Sequence, residues 1–318
     1  MGIAEILIIV GVLLLGGLIF MFVYTYPISK RVYEEQLVRT TPQKWGRTCS
    51  FPDDAEQVQM WNDGIAWMEK NRHRITQLQI ENQGLRLFGE YFDFGKDRCV
   101  IILPGRCESL VYSYYFAPPY ETAGFNVLVV DTRCHGNSDG KYNTIGVQES
   151  EDVLVWAKKL HEEFGNQEIY FHGICIGTSS GLFALRSGNC PSYLRGLVTE
   201  GCYISFPETF KRHMMALKRP LFPVLQLAMM HIYLNTGTNV YRDKPITAIR
   251  QIPPDCRVLF LYGQQDVFSI PEKSRQLFAA CAAKDKKLVW FQKGGHSHLR
   301  INNTEAYDQA IIDFFGKG

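Results

Sequence analysis

The feature that most restricts the fold is a series of short, uninterrupted apolar runs at 99–103, 127–130, 168–172, 196–199, 257–262 and 288–291. A strand with one wet face alternates apolar and polar residues. A strand covered on both faces does not need to alternate, and reads as a continuous apolar run. Helix-like stretches near 108–123, 147–163, 178–187, 271–283 and 304–315 separate these runs. The alternation predicts an α/β domain, a largely parallel sheet with helices on both faces. Residues 85–94 alternate instead, as an antiparallel edge hairpin does. A helix is expected over 54–72, with Trp61, Ile65 and Met68 on its apolar face.

Composition narrows the classes further. Hydrophobic residues make up 46% and charged residues 21%, which excludes disorder, collagen and coiled coil for the chain as a whole. The 34 basic and 32 acidic residues leave a net charge of +2, so no global polycation is available for nucleic acid. The nine cysteines are odd in number and contain no C-x-x-C pair, which argues against a disulfide framework and a zinc site. No metal or organic cofactor is implied.

One segment stands apart. Residues 6–26 carry no charge over about 21 positions, the length that spans a hydrocarbon core of roughly 30 Å. A cleavable signal peptide would have a basic start and a small-residue cleavage site, and neither is present. Residues 1–29 are therefore expected to be an uncleaved transmembrane anchor in a cell membrane, with the lipid bilayer as partner. Lys30, Arg31, Arg39 and Lys44 follow it and no Lys or Arg precedes it, which places the remainder in the cytoplasm. Residues 30–80 read as a juxtamembrane linker and N-terminal helix, and 81–318 as the main domain. An insertion at about 203–252 breaks the strand–helix alternation and reads as a small helical cap over the sheet edge. Within it, 221–230 is apolar enough either to line an acyl pocket or to pack as an ordinary helix.

The sharpest local signal is Gly173-Ile-Cys175-Ile-Gly177, placed between a strand and a helix of small residues. A nucleophile on such a turn sits in strained backbone, any side chain at Gly173 or Gly177 would crowd it, and the N–H of Ile176 points at a developing oxyanion. Taken alone, a cysteine is more often a small buried hydrophobe; the strand–turn–helix setting favours the nucleophile. An ordinary thiol is only slightly ionised at neutral pH, so an imidazole must activate it. Asp266 follows the strand at 257–262, and His296 follows a Gly-Gly turn after the strand at 288–291, in the order nucleophile, acid, base. His298 competes with His296 for the role of base. His73, His161, His213 and His231 fall in helix-like stretches and read as solvated, and His172 as packing beneath the nucleophile. The loop Pro104-Gly105-Arg106 offers the Arg106 N–H as a second oxyanion donor.

With Asp131-Thr-Arg-Cys-His135-Gly-Asn-Ser138-Asp-Gly140 added, these motifs resemble the α/β-hydrolase superfamily, nearest the bacterial esterase-, peptidase- and lysophospholipase-like members with a short helical cap. The resemblance covers roughly 80–316. It implies a mostly parallel eight-stranded sheet, and structural roles for His135 and Ser138. The chain departs from the usual pattern twice, with cysteine for serine in the elbow and Pro-Gly for His-Gly in the oxyanion loop.

The leading expectation is a membrane-anchored hydrolase or acyltransferase. A Cys175–His296–Asp266 triad would act on an ester, thioester or lactone of an acyl or amphipathic small molecule. A catalytically weak, membrane-tethered binding or scaffold protein is the alternative. Dienelactone-type hydrolysis is a third reading, and it requires an anion-binding arginine in the cleft.

Overall fold

The continuous apolar runs become the centre of one eight-stranded sheet in the computed structural model, which describes residues 2–186, 188 and 190–316. The strands are β1 (Ile75–Asn82), β2 (Leu85–Phe92), β3 (Arg98–Leu103), β4 (Asn126–Val130), β5 (Glu168–Ile174), β6 (Leu194–Glu200), β7 (Arg257–Gly263) and β8 (Asp285–Phe291). Their order is β1-β2-β4-β3-β5-β6-β7-β8. Strands β3 to β8 are parallel; β2 is antiparallel to both β1 and β4. β1 does not figure among the predicted runs. It pairs with β2 through a turn at Gln83 and Gly84, both at positive φ, as a tight hairpin needs. β8 forms the other edge and carries charge at Asp285, Lys286 and Lys287, which discourages further strand pairing.

The long helices are α1 (Ile3–Leu37), α2 (Ala55–Lys70), α3 (Glu149–Phe164), α4 (Ile176–Leu185), α5 (Phe206–Ala216), α6 (Val224–Thr236), α7 (Pro271–Ala280) and α8 (Thr304–Phe315). α3, α4 and α7 cover one face of the sheet. α2, α8 and the short turns between β3 and β4 cover the other. Asp54 caps α2 by accepting from the N–H groups of Glu56 and Gln57 at 3.0 and 3.2 Å. Its buried stripe is Met60, Gly64 and Trp67. The expected Trp61, Ile65 and Met68 flank that stripe and are only partly covered. The face turns because a Cβ on Gly64 would stand 3.0 Å from the Tyr115 backbone nitrogen, so this glycine marks the closest approach.

One expectation about where an element ends is corrected. α1 does not give way to a linker at residue 30: it passes through Pro27 and continues to Leu37. Ser29, Val32, Tyr33 and Leu37 fall on one face and are buried against α6, and this packing holds the helix together beyond the proline. Of the two readings of 221–230, ordinary helix packing holds, and the segment does not line the main pocket. Val224, Leu225, Ala228 and Met229 instead pack against the end of α1 and against α5. Beyond α6 the inserted cap holds a further short helix, Pro245–Ala248.

Candidate active site

The site begins at the end of β5. Cys175 has φ 52° and ψ −113°, a strained conformation for a residue with a side chain, and it opens α4. The flanking glycines allow the turn. A Cβ on Gly173 would lie 2.3 Å from Thr178, and one on Gly177 would lie 2.1 Å from the Leu103 carbonyl oxygen. The Cys175 N–H donates to the Glu200 carbonyl at 2.8 Å, tying the elbow to the end of β6.

Asp266 and His296 arrive from the ends of β7 and β8. His296 Nδ1 lies 2.8 Å from Asp266 Oδ2. The other oxygen, Oδ1, accepts from the Phe268 and Ser269 N–H groups at 2.8 and 2.7 Å, which fixes the carboxylate in place. The Cys175 thiol sits beside the imidazole, without a regular hydrogen bond to Nε2, which is buried and has no partner among the described residues. Burial alone would push the thiol up; His296, Arg106 and the Ile176 N–H outweigh it and bring it below the ordinary cysteine value. Burial likewise opposes charge on His296, but Asp266 and Cys175 raise it well above the usual histidine range. The arrangement thus favours a thiolate beside an imidazolium. His298 is turned elsewhere. Its Nδ1 contacts the His296 carbonyl at 2.9 Å and its Nε2 lies 3.6 Å from Asp54.

The sequence profile of the alpha/beta hydrolase fold matches residues 98–217, covering β3 through α5 and the elbow. The fold is that of the α/β hydrolases. A Pyrococcus furiosus esterase, Pf2001, aligns at TM-score 0.63 with 20% identity, covering 78% of this chain and 93% of its own. An esterase from Exiguobacterium antarcticum, EaEST, aligns at 0.56 with 15% identity, over 76% and 99%. An uncharacterized protein of Bacillus subtilis, YqkD, is 24% identical over 217 residues, 68% of this chain and 70% of that one.

In this α/β-hydrolase setting the Pro104-Gly105-Arg106 loop lies against the elbow. A Cβ on Gly105 would come within 3.8 Å of the Cys175 Cβ. The Arg106 N–H makes no hydrogen bond among the described residues, while its guanidinium donates to the Gln36 carbonyl at 3.1 Å. The loop is braced from behind: the Cys107 N–H approaches His135 Nε2 at 3.4 Å, and Trp45 stacks on the His135 ring at 4.8 Å. Ser138 Oγ donates to the Asp131 carbonyl at 2.7 Å and accepts from the Phe88 N–H at 2.9 Å. Both residues thus hold the fold together and stand apart from the reacting groups.

A cavity of about 260 Å³ opens over Cys175, between Phe51, Gln57, Arg106, Glu108, Tyr112, His213, Phe268 and His296. Several of these residues carry no recognisable sequence signal. His213 is not solvated as expected. It stacks on Phe268 at 3.9 Å, and burial, reinforced by Arg106 and His296, pushes it down to about 3. Glu108 is buried, accepts from Gln57 Nε2 at 2.9 Å and Ser50 Oγ at 3.2 Å, and is pushed up by burial to about 7. Gly201 passes beneath the imidazole, where a Cβ would lie 2.9 Å from His296 Cε1. His231 is also buried, between α6 and α1. His161 is half-covered and stacks on Tyr193, whereas His73 is exposed. His172 packs under the site as expected, between the hydroxyls of Tyr120 and Tyr307 at 3.1 and 3.2 Å. Tyr307 also donates to Glu200, which burial pushes up to about 7.

Proposed function

We propose that this chain is a membrane-anchored hydrolase that forms a covalent acyl-enzyme on Cys175. The observation that carries the reading is the strained Cys175 backbone at the mouth of α4, with the His296–Asp266 pair at 2.8 Å beside it. The esterase neighbours of the same fold add support at the level of reaction class.

The thiolate attacks an acyl carbonyl, and its electron pair forms the C–S bond. The N–H groups of Ile176 and Arg106 receive the charge that collects on the carbonyl oxygen. His296 gives its proton to the departing alcohol, thiol or lactone oxygen. It then takes a proton from water, which attacks the thioester and frees Cys175. Asp266 keeps the ring oriented and stabilises its charged form throughout. An acceptor other than water would make the same steps an acyl transfer. Esters, thioesters and lactones suit a thiolate better than peptides, because their leaving groups depart more readily.

The guanidinium of Arg106 in the pocket wall favours a second reading, in which the substrate is a small lactone or ester bearing a carboxylate. The test of the first reading is a panel of p-nitrophenyl and acyl-thioester substrates of increasing chain length, run on the full chain and on Cys175→Ala. Turnover by the wild type and its loss in the variant supports the acyl-enzyme; carboxylated substrates outrunning neutral ones selects the second reading. Equal background rates for both proteins would leave a catalytically weak binding module instead.

The anchor is the 6–26 segment of α1, whose apolar side chains are exposed. With the basic flank inside, the remainder of the chain is cytoplasmic. Protease added outside intact cells should then leave residues after 30 uncut, and rapid digestion there would reverse the orientation.

A further inference from the structure

We propose that the C-terminal half of α6, together with Tyr241, is a second membrane contact, lying in the headgroup zone of the leaflet from which α1 emerges and preferring anionic phospholipid. This rests on the reading that residues 6–26 cross a bilayer.

The register of α6 on α1 sets its direction. Near the start of α6, Arg219 meets Glu35 at 2.7 Å. Further along, His231 lies 3.4 Å from Ser29 Oγ, and its ring centre is 5.0 Å from that of Tyr26. Later residues of α6 therefore meet earlier residues of α1, and α6 descends toward the lipid. One turn beyond His231 stand Tyr233 and Leu234, 55% and 67% exposed, with Met230 preceding them at 39% and Tyr241 nearby at 54%. The core does not need this face: Val224, Leu225, Ala228, Met229 and Ile232 already fill the contact with α1 and α5. A groove of about 380 Å³ separates α6 from 238–241, and Met230, Tyr233 and Tyr241 form part of its wall.

An exposed aliphatic and aromatic cluster on a water-facing surface is an aggregation liability. Next to a segment that enters the bilayer, the same cluster is an interfacial surface, with tyrosines at the headgroup level and aliphatics below them. The charges fit that placement. Lys30 and Arg31 emerge one turn past Tyr26 with exposed side chains, each near a single carboxylate, Glu34 and Glu35. Asp243, beside Tyr241, is shared by Arg242 and Arg186, which leaves a positive excess at this end of the cap. Cations within a Debye length of an anionic leaflet are attracted to it.

The experiment uses the full chain in phosphatidylcholine vesicles, with and without phosphatidylglycerol, and a Leu234→Trp variant. The emission of the five native tryptophans is subtracted using the wild type. Lipid brominated near the carbonyl end of its acyl chains should quench the added emission about twofold, as for a side chain at the interface. Phosphatidylglycerol should deepen the effect. Glu81→Trp, on the β1 hairpin, should be untouched. Flotation of each sample with the vesicles separates the two ideas. A floating chain whose Leu234→Trp emission is not quenched overturns the contact and leaves the anchor standing. A chain that fails to float removes both. Quenching that is equal without phosphatidylglycerol overturns the preference for anionic lipid.

Discussion

The two walls of the pocket are built in different ways. On one side, Cys175, Asp266 and His296 sit at the ends of three parallel strands; the Cys175 N–H donates to the Glu200 carbonyl, and the Phe268 and Ser269 N–H groups donate to Asp266, which holds the elbow and the acid. On the other, Phe51, Gln57, Arg106 and Glu108 come from loops and from the N-terminal segment, and side chains hold one another there. The first wall is set by the sheet and by backbone contacts at the strand ends. The second depends on residues 36–57, which lie outside the sheet altogether. On the proposed reading, chemistry and selectivity rest on separate parts of the chain, and changes to the second wall should alter which substrate is used before they alter whether catalysis occurs.

The largest effects should follow from the first wall. Cys175→Ala and His296→Ala should each lower kcat by about a thousandfold or more with circular dichroism unchanged, and combining them should cost little extra, because the two groups act as a unit. His298→Ala should be mild; the reverse ranking of the two histidines would move the base to His298. Gly177→Ala should also be strongly damaging. Its Cβ meets the Leu103 carbonyl oxygen at 2.1 Å, and chemical denaturation should show a loss of about 3 kcal/mol or more.

The legibility of the chain follows the same division. The central strands were readable because burial on both faces removes polar residues from them, and the elbow was readable because Gly173 and Gly177 are forced by contacts of 2.3 and 2.1 Å. The second wall left little trace. Glu108 reads as a solvated helix start until Gln57 and Ser50 close over it from a distant segment. His213 lies on an amphipathic helix, and only the position of Phe268 reveals which side is covered. The expected end of the anchor at residue 29 is overridden by packing against a cap helix some two hundred residues away in sequence. β1 was readable in principle. Leu78 and Ile80 point inward between polar neighbours, and the Gln83-Gly84 turn joins the strand to β2.

Smaller effects sharpen the comparison. Limiting iodoacetamide near pH 6.5 should label Cys175 before Cys107, because His296 and its companions lower the first thiol while burial raises the second. Mass spectrometry of tryptic peptides reads the order, and labelling dominated by Cys107 would place the reactive thiol in the other wall. Glu108→Gln should act mainly through pH. Burial raises this carboxyl to about 7, so the protonated form is stabilised by folding, and that stability is full below the unfolded value and fades as pH rises through 7. The variant keeps the neutral form. Its Tm should approach the wild type as pH falls to 4.5 and below and exceed it by several degrees near pH 8, a gain of about 3 kcal/mol at most.

The continuity of α1 turns a length into a height. Ten residues separate Tyr26, where the apolar stretch ends, from Gln36, whose carbonyl takes the Arg106 guanidinium at the pocket wall. At about 1.5 Å per residue an upright helix makes that roughly 15 Å, and any tilt reduces it. On the proposed reading that residues 6–26 cross a bilayer, residues 27–36 work as a spacer of fixed reach. A molecule that keeps its tail in the bilayer can present only a carbonyl that stands about that far above the surface, while one whose carbonyl lies at the surface must leave the lipid to react. Inserting a full helical turn, four residues, between Tyr26 and Ser29 would raise the pocket by about 6 Å and should discriminate against tethered substrates while sparing soluble ones.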